Sequence, residues 1–61
     1  VIEARNIRTE DQQFSEQVTI RRFFEDGALL RIDVFDGGWR VGIYKTEAGA
    51  LRAAEKRSTD A

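Results

Sequence analysis

Three arginines, Arg21, Arg31 and Arg40, and three aromatic residues, Phe23, Phe35 and Tyr44, recur at spacings that set them on one face of a sheet. A guanidinium presents paired N–H donors that fit guanine edges or phosphates. Aromatic rings between such forks can stack on unpaired bases. Arginine, tyrosine and phenylalanine are equally enriched in protein interfaces. The same residues could also satisfy one another: Arg21 or Arg40 paired with Asp33, and Arg31 stacked on Phe23 or Tyr44. Catalysis is a poorer fit. The chain has no His and no Cys, and Asp33 is the only acid placed inside a strand pattern. No Gly-rich phosphate loop or calcium loop occurs. The expectation is a binding module, not an enzyme, with no cofactor and no metal.

The element that must position these groups is Leu29 to Tyr44, LLRIDVFDGGWRVGIY. Leu30, Ile32 and Val34, then Trp39, Val41 and Ile43, alternate with the period of a half-buried strand. Asp36-Gly37-Gly38 between them suits a two-residue hairpin turn. A Gly37-Gly38 turn sets Val34 opposite Val41; an Asp36-Gly37 turn sets it opposite Trp39. Either register gives an apolar face and a second face of Leu29, Arg31, Asp33, Phe35, Arg40, Gly42 and Tyr44. Gly42 in mid-strand would permit close backbone approach.

A preceding strand spans Val18 to Phe24, with Val18, Ile20 and Phe24 on the core parity. A three-residue turn, Asp26-Gly27-Ala28, would pair Phe24 with Leu30 and Ile20 with Val34. Arg22 shares the core parity and would lift its head to water. Thr46 to Arg57 reads as a helix: Thr46 caps it, Glu47 suits its positive end, and Lys56 and Arg57 its negative end. Ala50, Leu51 and Ala54 line its apolar stripe, and Gly49 could let it lie close to the sheet. Residues 1–17 form a polar leader. Val1, Ile2 and Ile7 suit a short strand, whereas Thr9 with Gln12 suits the cap of a short helix, Glu10 to Glu16, anchored by Phe14. Residues 58–61 form a tail.

The expected fold is therefore α+β: a three-stranded antiparallel β-meander packed against one C-terminal α-helix, with residues 18–57 as the domain. Sixty-one residues limit the chain to one domain, and no disulfide or zinc site can staple it. The net charge of −1 argues against a globally basic nucleic-acid binder. A local field can still be basic. Absence of Cys fits an intracellular setting, cytoplasm or nucleus, and no membrane span or signal peptide is visible. The chain begins at Val1 rather than Met, as an excised domain would.

Val41-Gly42-Ile43-Tyr44 followed by Thr46, Ala50, Arg52, Ala53 and Glu55 resembles the last strand and helix of the AP2/ERF DNA-binding domain. That family ends a strand in a leucine-glycine-x-phenylalanine pattern and continues into a threonine-capped, alanine-rich helix. Related three-stranded sheets occur in the arm-binding domains of phage-type integrases. The resemblance implies duplex DNA bound on the sheet face away from the helix, with Arg21, Arg31 and Arg40 as contacts. The second strand here departs from the family in lacking a Trp and a basic excess. Double-stranded RNA-binding domains also end in an Ala-rich helix, but Lys45-Thr46-Glu47 lacks their basic cluster. The functional expectation is duplex DNA binding through Arg21, Phe23, Arg31, Phe35, Arg40 and Tyr44. The alternative is a protein partner or a homodimer held by the same face.

Overall fold

The computed structural model describes residues 6–59. Five elements follow in order: β1 (Ile7–Gln13), β2 (Val18–Glu25), β3 (Ala28–Asp36), β4 (Trp39–Tyr44) and α1 (Glu47–Thr59). The strands form one antiparallel sheet in the order β1-β2-β3-β4. The α+β class and the single C-terminal helix agree with the sequence reading, but there are four strands instead of three. Among the described residues no helix is long and apolar enough to cross a membrane.

The extra strand lies in the leader. Ile7 to Gln13 carries no apolar alternation, and all seven residues are exposed, so no burial pattern marks it as a strand. It is held by its ladder with β2, in which Asp11 faces Arg21, Gln12 faces Ile20 and Gln13 faces Thr19. Thr9 and Gln12 therefore sit in a strand, and the Glu10–Glu16 helix does not form. Phe14 does anchor the segment. Its N–H donates to the Val18 carbonyl at 2.9 Å, and its ring packs on the core from the β1–β2 turn. Val1 and Ile2, which the same reading offered as strand residues, lie outside the described residues.

Both later hairpins follow one plan. Asp26-Gly27 and Gly37-Gly38 are two-residue turns with every φ positive: 52° and 84°, then 63° and 91°. Two regular pairs follow each turn, and then the second strand carries one extra residue. In β3 the extra residue is Leu30, because Phe24 faces Leu29 and Phe23 faces Arg31. In β4 it is Val41, because Phe35 faces Arg40 and Val34 faces Gly42. The first bulge restores the expected pairing of Ile20 with Val34, although Phe24 meets Leu29 rather than Leu30. The second bulge inverts the expected faces of β4 beyond Val41. Tyr44 and Gly42 turn toward the helix, and Ile43 turns away from it, 51% exposed. Trp39 is 79% exposed, so the apolar set Trp39, Val41, Ile43 does not form a core face; only Val41 packs there. A bulge shifts alternation by one position, and a period-of-2 reading cannot register it.

The core is Val18, Ile20, Ile32 and Val34 from the sheet with Ala50 and Ala54 from α1. The two alanines let the helix axis approach the sheet. Leu51, expected on the same stripe, is 39% exposed. The Gly49 N–H donates to Thr46 Oγ1 at 3.2 Å and completes the cap. A Cβ at Gly49 would lie 3.1 Å from that hydroxyl and 3.6 Å from the Tyr44 ring, so the glycine makes room for both. A Cβ at Gly42 would lie 2.6 Å from the Tyr44 hydroxyl. The space at Gly42 is therefore filled by Tyr44 on the helix side and is not open to a ligand on the other face.

Two contacts tie the helix ends to the sheet. Arg22, expected to reach solvent, keeps its side chain 18% exposed. Its Nε and Nη2 donate to the two Glu47 carboxylate oxygens, the latter at 3.0 Å, while Nη1 donates to Gln12 Oε1 at 2.7 Å. At the other end the helix runs two residues past the expected Arg57. Ser58 Oγ donates to the Ala54 carbonyl at 2.9 Å and accepts from Ser15 Oγ at 3.0 Å.

Candidate functional site

The sheet face away from α1 is built by alternation. β1 contributes Thr9, Asp11 and Gln13, β2 Thr19, Arg21 and Phe23, β3 Arg31, Asp33 and Phe35, and β4 Arg40 and Ile43. Five of the six candidate residues, Arg21, Phe23, Arg31, Phe35 and Arg40, share this face. Tyr44 does not; the bulge at Val41 sends it to the helix side, against the core.

Asp33 is the centre of the face. Its residue is 2% exposed, the only buried charged group among the described residues. Two guanidiniums converge on it: Arg31 Nε at 3.3 Å from Oδ1 and Arg40 Nη1 at 3.7 Å from Oδ2. The side chains of Arg31 and Arg40 are 41% and 52% exposed, so their outer edges face water. The Arg31 contact is an ion pair without hydrogen-bond alignment, and both buried atoms, Nε and Oδ1, lack a hydrogen-bond partner. The Arg31 guanidinium also sits over Phe23, its Cζ 4.3 Å from the ring centroid. The ring and the carboxylate hold this guanidinium, whose side chain stays 41% exposed.

Arg21 is engaged differently. It stands directly across from Asp33 in the β2–β3 ladder, yet it turns to β1. Its Nε and Nη2 donate to the two Asp11 carboxylate oxygens at 2.8 and 3.1 Å. This bidentate bond holds the Asp11 carboxyl below its ordinary pKa and raises that of Arg21. The Arg21 guanidinium also sits 5.2 Å from the Phe35 ring centroid. Sequence reading missed Asp11 because the short strand offered in the leader rested on Val1, Ile2 and Ile7 alone, so the place of Asp11 beside Arg21 had no signal. A shallow depression of ≈ 620 Å³ on this face lies beside Arg21, lined by Asp11, Gln13, Thr19, Phe35 and Gly38.

The outer face thus presents two half-exposed cations on a buried carboxylate, a third cation paired with Asp11, and two half-buried rings. Among the described residues no group of three or more acidic, His or Cys side chains is placed to hold a metal. Compared with known proteins, the chain matches no family model, no curated protein and no solved structure.

Proposed function

We propose that this chain is a small non-enzymatic binding module whose outer sheet face takes duplex DNA. The observation that carries the reading is the convergence of Arg31 and Arg40 on buried Asp33. A carboxylate beneath two arginines fixes their direction, and each keeps N–H groups free for a guanine edge or a phosphate. Arg21 spends two donors on Asp11 and is the weakest contact of the three. Size is compatible. Three strands about 4.8 Å apart place β2 and β4 roughly 10 Å from one another, within a major groove about 12 Å wide. The fourth strand, β1, would lie over the phosphate ridge, where Arg21 neutralises Asp11. The resemblance of Val41 to Lys56 to the AP2/ERF strand and helix supports the same face.

A protein partner or a second copy on this face is favoured by one observation, the half-exposed Ile43 opposite Asp33. Titration of labelled protein with a short duplex separates the readings. DNA binding moves the amides around Arg31, Asp33 and Arg40. Its affinity falls with the logarithm of salt at a slope of about −0.9 per phosphate neutralised, and both Arg31→Ala and Arg40→Ala weaken it. Unmoved outer-face amides, or binding that ignores both substitutions, would sink the DNA reading. Mass that rises with concentration and falls on Ile43→Lys supports the self-association reading.

A further inference from the structure

We infer that the cleft between β4 and α1 is a second binding site, for an extended peptide of apolar and acidic residues that adds to the sheet as a fifth strand beside β4. It shares β4 with the outer face, to which Arg40 and Ile43 belong, but its cleft opens on the helix side and does not depend on what that face binds.

β4 is the last strand of the sheet, so among the described residues one side of its backbone has no neighbouring strand. The two edges of the sheet differ in kind. The β1 edge is polar after Ile7 and carries Arg8, Glu10 and Asp11, which is how proteins discourage strand addition. The β4 edge has one charge, Arg40, and shows Trp39 at 79% and Ile43 at 51% exposure. Between this edge and the helix runs a cleft of ≈ 360 Å³ lined by Val41, Tyr44, Ala53, Lys56 and Arg57. Its floor is two half-buried side chains and an alanine, and its rim is cationic.

An edge strand beside a helix offers main-chain hydrogen bonds on one side and a side-chain groove on the other. That is the geometry of strand-addition peptide sites. Charge selects the occupant. Lys56 has no partner among the described residues, and Arg57 has only a 3.7 Å contact with Asp36. An acidic strand would complement them. A second copy paired β4 to β4 would instead bring Arg40, Lys56 and Arg57 of both chains together, which like-charge repulsion opposes. Trp39 stands at the start of β4, opposite the same Asp36, and can cover an apolar side chain of the incoming strand.

The test is an NMR titration of the intact chain with a short capped peptide that alternates valine and threonine at its centre and carries glutamates at both ends. The same peptide with lysines in place of the glutamates is the comparison. The expected result is movement of the Arg40 to Tyr44 and Ala53 to Arg57 amides with the glutamate peptide and a weaker response to the lysine peptide. Lys56→Glu, a change at an exposed side chain, should reverse that preference and weaken the glutamate peptide about threefold to fivefold. Equal response to both peptides, shifts confined to β1 and β2, or indifference to Lys56→Glu overturns the proposal. Duplex DNA moving the β4–α1 amides more than the glutamate peptide does, or concentration-dependent mass without peptide that Lys56→Glu enhances, also overturns it, in favour of nucleic acid or a second copy.

Discussion

Replacing Asp33 by Asn tests the organisation of the outer face directly. The substitution keeps the side chain's shape and removes the charge that Arg31 and Arg40 share at 3.3 and 3.7 Å. Both guanidiniums are about half exposed, so the effective dielectric is nearer that of water than of a dry interior. With an effective value of about 40 to 80, each attraction is worth about 1–2.5 kcal/mol. The amide is easier to bury than a carboxylate, which offsets part of the loss. The net cost should be about 1–3 kcal/mol, set against a total stability of roughly 3–9 kcal/mol for a chain this long. The midpoint of thermal unfolding should fall by about 5–20 °C. Far-ultraviolet circular dichroism in urea and on heating is the suitable assay. Trp39 fluorescence is a poor one, because that side chain is already 79% exposed in the fold. In a double-substitution cycle, Arg31→Ala should cost less in the Asp33→Asn background than in the parent. Stability unchanged within about 0.5 kcal/mol, the range of ordinary surface substitutions, would refute the argument that Asp33 organises this face.

Two further outcomes follow from the helix side. Arg22 holds the Glu47 carboxyl below its ordinary pKa by donating to it, so the folded state binds that proton less readily than the unfolded chain. The stabilisation is complete above the unfolded value, about 4.3, and is lost as pH falls through the lower folded value. Glu47→Gln should flatten the acid limb of a stability–pH profile, and an unaltered limb would contradict the assignment. At Gly42, alanine must displace the Tyr44 phenol, which lies 2.6 Å from the new Cβ position. A loss of about 1–3 kcal/mol is expected, checked by urea unfolding; Gly42→Ala as stable as the parent would show that the ring moves freely.

Legibility in the sequence followed the physics of each signal. The helix was readable because Thr46, Glu47, Lys56 and Arg57 mark its ends and the alanines mark its inner stripe. The β2–β3–β4 meander was readable because its turns need the positive φ that Asp26-Gly27 and Gly37-Gly38 tolerate. β1 was readable only as one of two alternatives for the leader, through Ile7, since a strand that buries nothing leaves no periodic trace. Two bulges then altered details that alternation predicts as fixed. Leu30 became an exposed insertion, and Tyr44 left the candidate face while Ile43 joined it. Asp33 was visible as the lone acid in a strand. That it would be buried, with two arginines converging on it and Arg21 drawn off by Asp11, required the fourth strand and the actual register.

The sheet order β1-β2-β3-β4 also has a kinetic consequence. Every ladder joins strands adjacent in the chain, and two of the three turns are two residues long. Each hairpin can close with a small loop-entropy cost before any distant contact exists. The distant side-chain bonds are those of the helix ends: Glu47 to Arg22, 25 positions away, and Ser58 to Ser15, 43 positions away. The sheet can thus zip locally, with helix docking as the step that joins remote parts of the chain. Mutations in the turns should then act mainly on the folding rate, and mutations in the helix clasps mainly on the unfolding rate.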